Sequence, residues 1–233
     1  AVDSLPEANP MLGWRGIRIC LDTPDLFKTQ IRAILRAATA GTARILLPMV
    51  SSLDEVDRAR AVISESAAEL AAAGIEHRDD IELGVMIEVP SAAIMAGQFA
   101  SQVDFFSLGT NDLVQYTLAV DRGTARVASL YDPLHPAVLQ LIRQVGAAAR
   151  EAGIPAGICG EMASDPEAAV VLMGLGIMQL SVSPTALPEL KEVVRATRLA
   201  DAIDLADKSL HLTSGAQVRC LVQERVGEAL RVA

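Results

Sequence analysis

The sequence is poor in aromatic side chains, which make up 3% of its 233 residues. Hydrophobic residues nevertheless reach 51%, so the core must be built from aliphatic side chains such as Ala, Val, Leu and Ile. Such a composition is typical of parallel sheets that are covered by helices. The length allows one large domain or two small ones, each with a buried core.

Basic side chains are also scarce, with 20 Lys and Arg against 29 Asp and Glu and a net charge of -9. Surfaces that bind nucleic acid or anionic membranes need a basic excess, so we expect neither partner. No apolar run approaches the roughly 20 residues that span a bilayer, and the start lacks a signal-peptide pattern. We therefore expect a cytoplasmic protein in which any anionic ligand is bound by a few local groups.

Cysteine is also scarce, and nucleotide-binding motifs do not occur in the sequence. The three cysteines, Cys20, Cys159 and Cys220, are too scattered for a disulfide framework or a zinc site. Neither a GxxxxGK[ST] run nor a GxGxxG run occurs, so the sequence gives no support for nucleotide binding. None of the three histidines has the surroundings expected of a phosphorylated carrier.

Short apolar runs alternate with helical patterns along most of the chain. After a loop up to about residue 21, the patterns predict strands near 44–50, 83–89, 103–108, 154–159 and 179–183. Helices are predicted from about residues 23, 52, 91, 136, 165 and 188, with a helical tail beyond 200. This alternation predicts a parallel α/β fold with right-handed crossovers. A closed (β/α)8 TIM barrel needs eight strands, so five units indicate an incomplete barrel, with an open doubly wound sheet as the alternative.

Polar residues follow three of the predicted strands where each one ends. Glu88 ends one apolar strand, Gly109-Thr-Asn-Asp112 follows the next, and Cys159 closes a third. The carboxyl ends of parallel strands face the same side of the sheet and build the active site in such folds. We therefore expect these distant residues to converge in one pocket.

The two acidic residues of this group suggest a metal site. A carboxylate such as Glu88, directly after Val85-Met-Ile87, is costly to bury unless a cation or hydrogen bonds compensate it. Glu88 and Asp112 match the one or two acidic ligands by which Mg2+ is usually held. The alternatives are that Glu88 pairs with an arginine or caps the next helix, and that Asp112 caps a helix.

Two arginines and one cysteine are further candidates. Arg15 and Arg122 lie in glycine-flanked loops, where a guanidinium can approach a phosphate or carboxylate closely; the alternative for both is a solvated side chain. Cys159 is either a small buried apolar residue or a proton donor. An unperturbed thiol, with a pKa of about 8.5, is mostly protonated at neutral pH.

Taken together, these segments resemble the C-terminal phosphoenolpyruvate-binding domain of enzyme I of the bacterial phosphotransferase system. The similarity runs from residue 9 to about 198 and rests on six stretches: NPMLGWRGIRI, LLPMVSSLDEV, GVMIEVPSAA, DFFSLGTNDLVQYTLAVDRG, LYDPLHPAVLQLI and AGICGEMASDP. The resemblance implies a barrel domain over residues 1–199 that lacks its first strands, and a helical tail of the same domain over 200–233. Pyruvate phosphate dikinase and phosphoenolpyruvate synthase share the GTND and CGE elements.

Residue by residue, the resemblance implies a complete set of roles. Glu88 and Asp112 would bind Mg2+, and Cys159 would protonate enolpyruvate to give pyruvate. The substrate contacts would be Arg15, Gly109, Asn111 and Arg122. The implied enzyme is a phosphoenolpyruvate-protein phosphotransferase of sugar transport or of its nitrogen-related branch, and it would be a cytoplasmic homodimer.

Some features of the family are missing here. Two substrate-binding arginines and the domain with the phosphorylated histidine precede this region in the family, and that domain passes the phosphoryl group to a small phosphocarrier protein. We therefore expect that this chain alone could be inactive. The family's acidic pair is replaced by Met178 and Gln179, to which no role is assigned. A dikinase-type or synthase-type domain and a non-catalytic dimerisation or regulatory fragment remain the alternatives.

Overall fold

The computed structural model describes residues 7–232 and the side-chain surroundings of residues 7–225. The strands are β1 (Arg44–Leu47), β2 (Glu82–Ile87), β3 (Phe105–Gly109), β4 (Ala156–Cys159) and β5 (Gln179–Leu180). The helices are α1 (Ile17–Asp22), α2 (Pro24–Ala37), α3 (Leu53–Ala72), α4 (Pro90–Ile94), α5 (Ala96–Ala100), α6 (Thr110–Leu118), α7 (Pro136–Ala152), α8 (Pro166–Gly174), α9 (Leu187–Ala196), α10 (Leu199–Ser209) and α11 (Gly215–Val232). The chain divides into two compact units, Ala1–Leu83 and Gly84–Ala233.

The five strands form one sheet in chain order, β1-β2-β3-β4-β5. Strands β2 to β5 pair in parallel, and the register sets Ile87 beside Leu108 and Gly109 beside Cys159. Because neighbouring parallel strands need a crossover connection, helices separate them along the chain. The parallel α/β fold class expected from the sequence is confirmed.

The two faces of the sheet in the second unit differ in burial. Side chains alternate between the faces of a strand, and one face carries buried Val85, Ile87, Phe106, Leu108 and Ile158. The other face carries half-buried Met86, Phe105, Ser107 and Cys159. The second face therefore leaves polar and sulfur-containing side chains accessible next to the strand ends.

The first unit is held together by packing between α2 and α3. Phe27, Ile31 and Leu35 form the buried stripe of α2, and Val56 and Leu70 are the larger buried apolar side chains of α3. The start of α3 is a capping box, in which Glu55 accepts hydrogen bonds from the backbone N–H groups of Ser51 and Ser52 at 2.6 and 3.0 Å. This capping box begins the helix that the sequence predicts from about residue 52.

In the second unit, helices pack on the apolar face of the sheet and against one another. Helix α7 supplies Val138, Leu139, Ile142 and Val145, all fully buried, and His135 caps it by accepting from the Ala137 N–H at 3.2 Å. Helices α8 and α10 approach closely at Gly174, where an added Cβ would lie 2.0 Å from the carbonyl oxygen of Ala202. Within residues 7–232, no helix is both long and apolar enough to cross a bilayer.

Three local expectations from the sequence were wrong. The predicted opening loop contains α1, whose N-cap is Gly16 with a positive φ of 59°. The helix expected from residue 91 is two short helices, α4 and α5, because the chain breaks its helical geometry at Met95. Helix α6 is absent from the predicted helices, although the capping alternative for Asp112 implied a helix nearby, and it begins directly at Thr110, where β3 ends.

Candidate functional site

The carboxylate of Glu88 lies against the end of the neighbouring strand. Glu88 directly follows β2 and is 4% exposed. A Cβ built on Gly109 would lie 2.6 Å from Glu88 Oε2 and 2.9 Å from Glu88 Cβ, closer than real Cβ atoms come to other atoms. The absence of a side chain at Gly109 is therefore what allows this carboxylate to approach the end of β3. Helix α4 has Val89 as its N-cap, so Glu88 is not the cap of that helix.

Asp112 occupies the first turn of α6 and is 7% exposed. An acidic side chain in the first turn is stabilised by the positive end of the helix dipole. The N-cap of α6 is Gly109 and not Asp112, so the capping alternative for Asp112 is wrong. The two buried carboxylates thus follow adjacent parallel strands, at the carboxyl end of each.

These two carboxylates fit a magnesium site that substrate and water complete. Among the described residues, no group of three or more His, Cys, Asp or Glu side chains could hold a metal by itself. Mg2+ is commonly held by one or two carboxylates together with substrate phosphate and several waters. Two carboxylates alone would leave the remaining positions of such a site to substrate oxygens and water.

The thiol of Cys159 lies between two groups of β3. Its Sγ donates to the carbonyl oxygen of Leu108 at 3.4 Å and lies 3.7 Å from Ser107 Oγ, which donates to it. Cys159 is half-buried, and it is paired with Gly109, whose Cα is packed on Glu88. The thiol and the buried carboxylate therefore stand on either side of one glycine.

Two turns meet at Gly160, which follows β4. The hydroxyl of Thr110 donates to the carbonyl oxygen of Cys159 at 2.8 Å, and the backbone N–H of Glu161 donates to Asn111 Oδ1 at 3.0 Å. Asn111 thereby contacts the turn that carries Cys159. Its predicted contact with a substrate stays a prediction.

Arg122 lies in the loop after α6 and is held there through its backbone. Its N–H donates to Oε1 of the buried Gln115 at 3.2 Å. Its guanidinium Nη1 is 3.9 Å from Glu161 Oε1, and the side chains are 35% and 79% exposed. An exposed ion pair of this length is weak, so the guanidinium can exchange Glu161 for an anionic ligand at little cost.

The sequence reasoning missed Tyr131. Its hydroxyl donates to the backbone carbonyl of Asn111 at 3.4 Å. Burial raises the pKa of Tyr131 to about 12; the charge of Arg122 lowers this pKa, whereas the charges of Glu161 and Asp112 raise it. The pKa of Tyr131 therefore depends on three charged groups of this site, although Tyr131 lies in a separate loop. Its position after Ala128–Leu130, in a stretch without periodic apolar residues, gave no signal for this role.

Arg15, Met178 and Gln179 are the remaining positions singled out in the sequence. Arg15 belongs to the first unit, where its Nη1 lies 3.2 Å from Met11 Sδ, and its part in a substrate site stays a prediction. Met178 is 64% exposed, and Gln179 pairs with Gly157, two residues before the end of β4. Met178 and Gln179 are thus away from the strand ends that carry Glu88, Asp112 and Cys159.

The arrangement combines three chemical capacities at the ends of β2, β3 and β4. Buried carboxylates can hold a divalent cation, a loop arginine can bind an anion, and a neutral thiol can deliver a proton. Substrate-binding and proton-transfer groups at the carboxyl ends of parallel strands are the usual organisation of α/β enzymes.

Comparisons with known proteins identify the family to which this chain belongs. The family model described as PEP-utilising enzyme, PEP-binding domain, matches residues 1–199. Proteins named phosphoenolpyruvate-protein phosphotransferase from Staphylococcus carnosus (strain TM300) and Haemophilus influenzae are each 44% identical over 223 residues, 96% of this chain and 39% of theirs. The corresponding Listeria monocytogenes protein is 42% identical over 95% of this chain and 39% of its own.

A solved citrate lyase from Burkholderia xenovorans LB400 shares the fold, with a TM-score of 0.51 and 18% identity over 88% of this chain and 68% of that one. At this identity the likeness concerns the fold alone. The chain spans about two fifths of the length of the phosphotransferases that it matches, since it covers 39% of each.

Proposed function

Because the chain belongs to the PEP-utilising enzyme family and matches its PEP-binding domain, we propose that it binds phosphoenolpyruvate together with Mg2+. In this proposal it supports transfer of the phosphoryl group to a histidine on another domain and releases pyruvate. The histidine then passes the group to a small phosphocarrier protein, as the first step of a phosphotransferase system. The whole enzyme acts as a cytoplasmic homodimer.

The proposal gives each charged residue one task. Glu88 and Asp112 hold the cation, which, when bound, neutralises charge on the phosphate and carboxylate oxygens. Arg15 and Arg122 bind those oxygens, for which a guanidinium has a matching geometry. Asn111 contacts the substrate, and Gly109 keeps the strand end close to it. Positioning and electrostatics dominate catalysis of phosphoryl transfer.

Cys159 completes the reaction by moving a proton. When the P–O bond breaks, the phosphoryl group goes to the histidine and the electron pair stays on the enolate oxygen of pyruvate. Carbon 3 of the enolate then takes the proton from Cys159 Sγ, which forms the methyl group, and the thiolate recovers a proton from water. Such general acid catalysis needs a neutral thiol.

The observation that carries the proposal is the row formed by Glu88, Gly109 and Cys159. A buried carboxylate is packed on the glycine that pairs with the thiol-bearing residue. A cation site beside a proton donor accounts for a carboxylate and a thiol that flank the same glycine at the carboxyl ends of parallel strands. A purely structural module has no need of it.

Calorimetric titration of this chain with phosphoenolpyruvate, with and without Mg2+, tests the proposal. We expect saturable heat from phosphoenolpyruvate only when Mg2+ is present. Without the cation, the negative charge of the substrate opposes binding near two carboxylates. For Asp112→Asn we expect weaker binding in Mg2+ but stronger binding than wild type in EDTA, because one repulsive charge is removed. The matched control is Asp204→Asn, on the exposed side of α10. Magnesium-independent binding, or Asp112→Asn weakening binding in both buffers, would contradict the metal assignment.

A further inference from the structure

Two hydrogen bonds join the first turn of α6, directly after β3, to the turn at the end of β4. The first runs from the Thr110 hydroxyl to the Cys159 carbonyl oxygen at 2.8 Å, and the second from the Glu161 N–H to Asn111 Oδ1 at 3.0 Å. The Cys159 carbonyl and the Glu161 N–H flank Gly160 in the sequence, so the backbone is held on both sides of Gly160.

The contact leaves no room for adjustment at Gly160. Its φ is +104°, a conformation that side chains disfavour. A Cβ at this position would lie 2.7 Å from Thr110 Oγ1 and 2.9 Å from Asn111 Oδ1. The two turns are therefore in direct contact, with the glycine backbone between the two side chains.

Thr110 is suited to transmit this contact because it is fully buried. A buried hydroxyl that makes its hydrogen bond fixes its partner more firmly than an exposed one, since no water competes for either group. Its acceptor is the main-chain carbonyl of Cys159 itself, so the bond acts directly on the residue that carries the thiol. Sγ is separated from that backbone by a single rotatable bond, and it is also held by Ser107 and Leu108.

We infer that Thr110 is a positioning residue that fixes the thiol of Cys159 relative to the ligand at the strand ends. This inference rests on the proposed function, because it assumes a three-carbon acid bound near Glu88 and Asp112. Thr110 itself does not touch the substrate; it acts through the Cys159 backbone. Loss of its hydroxyl should therefore change the reactivity of the thiol toward bound ligand and leave ligand affinity unchanged.

Bromopyruvate in the presence of Mg2+ is a suitable probe of this geometry. The sulfur of Cys159 displaces bromide from carbon 3, so that a C–S bond forms, the C–Br bond breaks, and the thiol proton passes to solvent. Peptide mass spectrometry follows the adduct at Cys159 over time. Cys220, which is exposed, serves as an internal reference for simple bimolecular alkylation.

For the wild-type chain we expect alkylation of Cys159 to saturate with bromopyruvate and to depend on Mg2+. For Thr110→Val we expect the maximal rate to fall about tenfold or more, as small misplacements of reacting groups do, with the half-saturation concentration within about twofold of wild type. Thr110→Ser keeps the hydroxyl and should restore the rate. Alkylation of Cys220 should be the same in all three proteins.

The outcomes separate this inference from the proposed function. If the wild type shows no saturable, Mg2+-dependent alkylation, the proposed function fails. If the wild type does but Thr110→Val matches it, or changes only the half-saturation concentration, Thr110 is not a positioning residue. Thr110→Ala, which adds no volume, replaces Thr110→Val if that variant does not fold. If neither folds while Thr110→Ser does, the hydroxyl serves stability and the inference is overturned.

Discussion

Replacing Gly109 by alanine should weaken magnesium-dependent ligand binding without unfolding the protein. The new Cβ would lie 2.6 Å from Glu88 Oε2 and 2.9 Å from Glu88 Cβ, whereas ordinary contacts begin at 3.4 Å. The carboxylate oxygen must therefore retreat by about 0.8 Å, the difference between 3.4 and 2.6 Å. The third close atom is Met86 Sδ at 3.0 Å, on a flexible side chain that can move.

A displacement of this size is large for a magnesium ligand. Mg2+ demands near-ideal octahedral geometry with oxygens at about 2.0–2.1 Å, so an oxygen moved by about 0.8 Å no longer coordinates it. Disturbing the surroundings of a metal ligand typically costs about 10- to 100-fold in affinity. We expect a loss in this range for phosphoenolpyruvate in Mg2+, which corresponds to about 1.4–2.7 kcal/mol.

Calorimetry in Mg2+ measures this loss, and urea denaturation measures the stability of each variant. The matched control is Gly97→Ala, because Gly97 lies in α5 and a Cβ there would meet no atom within 4 Å. We expect wild-type affinity for the control. Wild-type affinity of Gly109→Ala would refute the idea that the approach of Glu88 to Gly109 shapes the cation site.

Three further predictions concern stability. Gly174→Ala should destabilise the protein by about 1–3 kcal/mol in urea denaturation, because its Cβ would lie 2.0 Å from a backbone oxygen of α10; Gly97→Ala, in open space, should be neutral or slightly stabilising, and equal effects would refute the reasoning. Burial raises the pKa of Tyr131 to about 12. The contribution of Tyr131 to the free energy of unfolding should therefore be complete below about pH 10 and lost as the pH rises toward 12. If the free energies of unfolding of wild type and Tyr131→Phe differ by a constant amount over this range, the expectation is contradicted. Arg219→Met should lower the free energy of unfolding by about 1 kcal/mol or less, and by more at low salt. The Arg219 side chain is 39% exposed, and its guanidinium lies 3.0 Å from Glu167 and 3.4 Å from Asp165. A loss of stability that does not depend on salt would argue against an ionic contribution.

The parts of the site that the sequence predicted are those that follow from strand geometry alone. Apolar runs with a polar residue at the end identified Glu88, Asp112 and Cys159, since all carboxyl ends of parallel strands lie on one side. The register, which sets Gly109 beside Cys159, confirms that two of these strand ends are adjacent. The assignments of metal, substrate and catalytic roles to these residues stay predictions.

The parts that could not be predicted depend on contacts between distant segments. Helix α6 begins at Thr110 without an N-cap side chain, since its cap is Gly109, so the usual starting signal is missing from the sequence. Tyr131 reaches Asn111 across 20 residues, and no periodicity encodes such a contact. The hydrogen bond of Thr110 to Cys159 spans 49 residues and depends on the strand register.

The net charge of the chain and the burial of its two carboxylates together limit which form of the ligand it can accept. A chain with net charge -9 offers no general attraction to an anion, and Glu88 and Asp112 add negative charge where water is scarce. Two like charges about 4 Å apart near a protein surface repel by about 4 kcal/mol, roughly a thousandfold in affinity. Under the proposed assignment, a divalent cation bound by both carboxylates would offset this repulsion. Phosphoenolpyruvate should then be bound as its magnesium complex and excluded as the free anion.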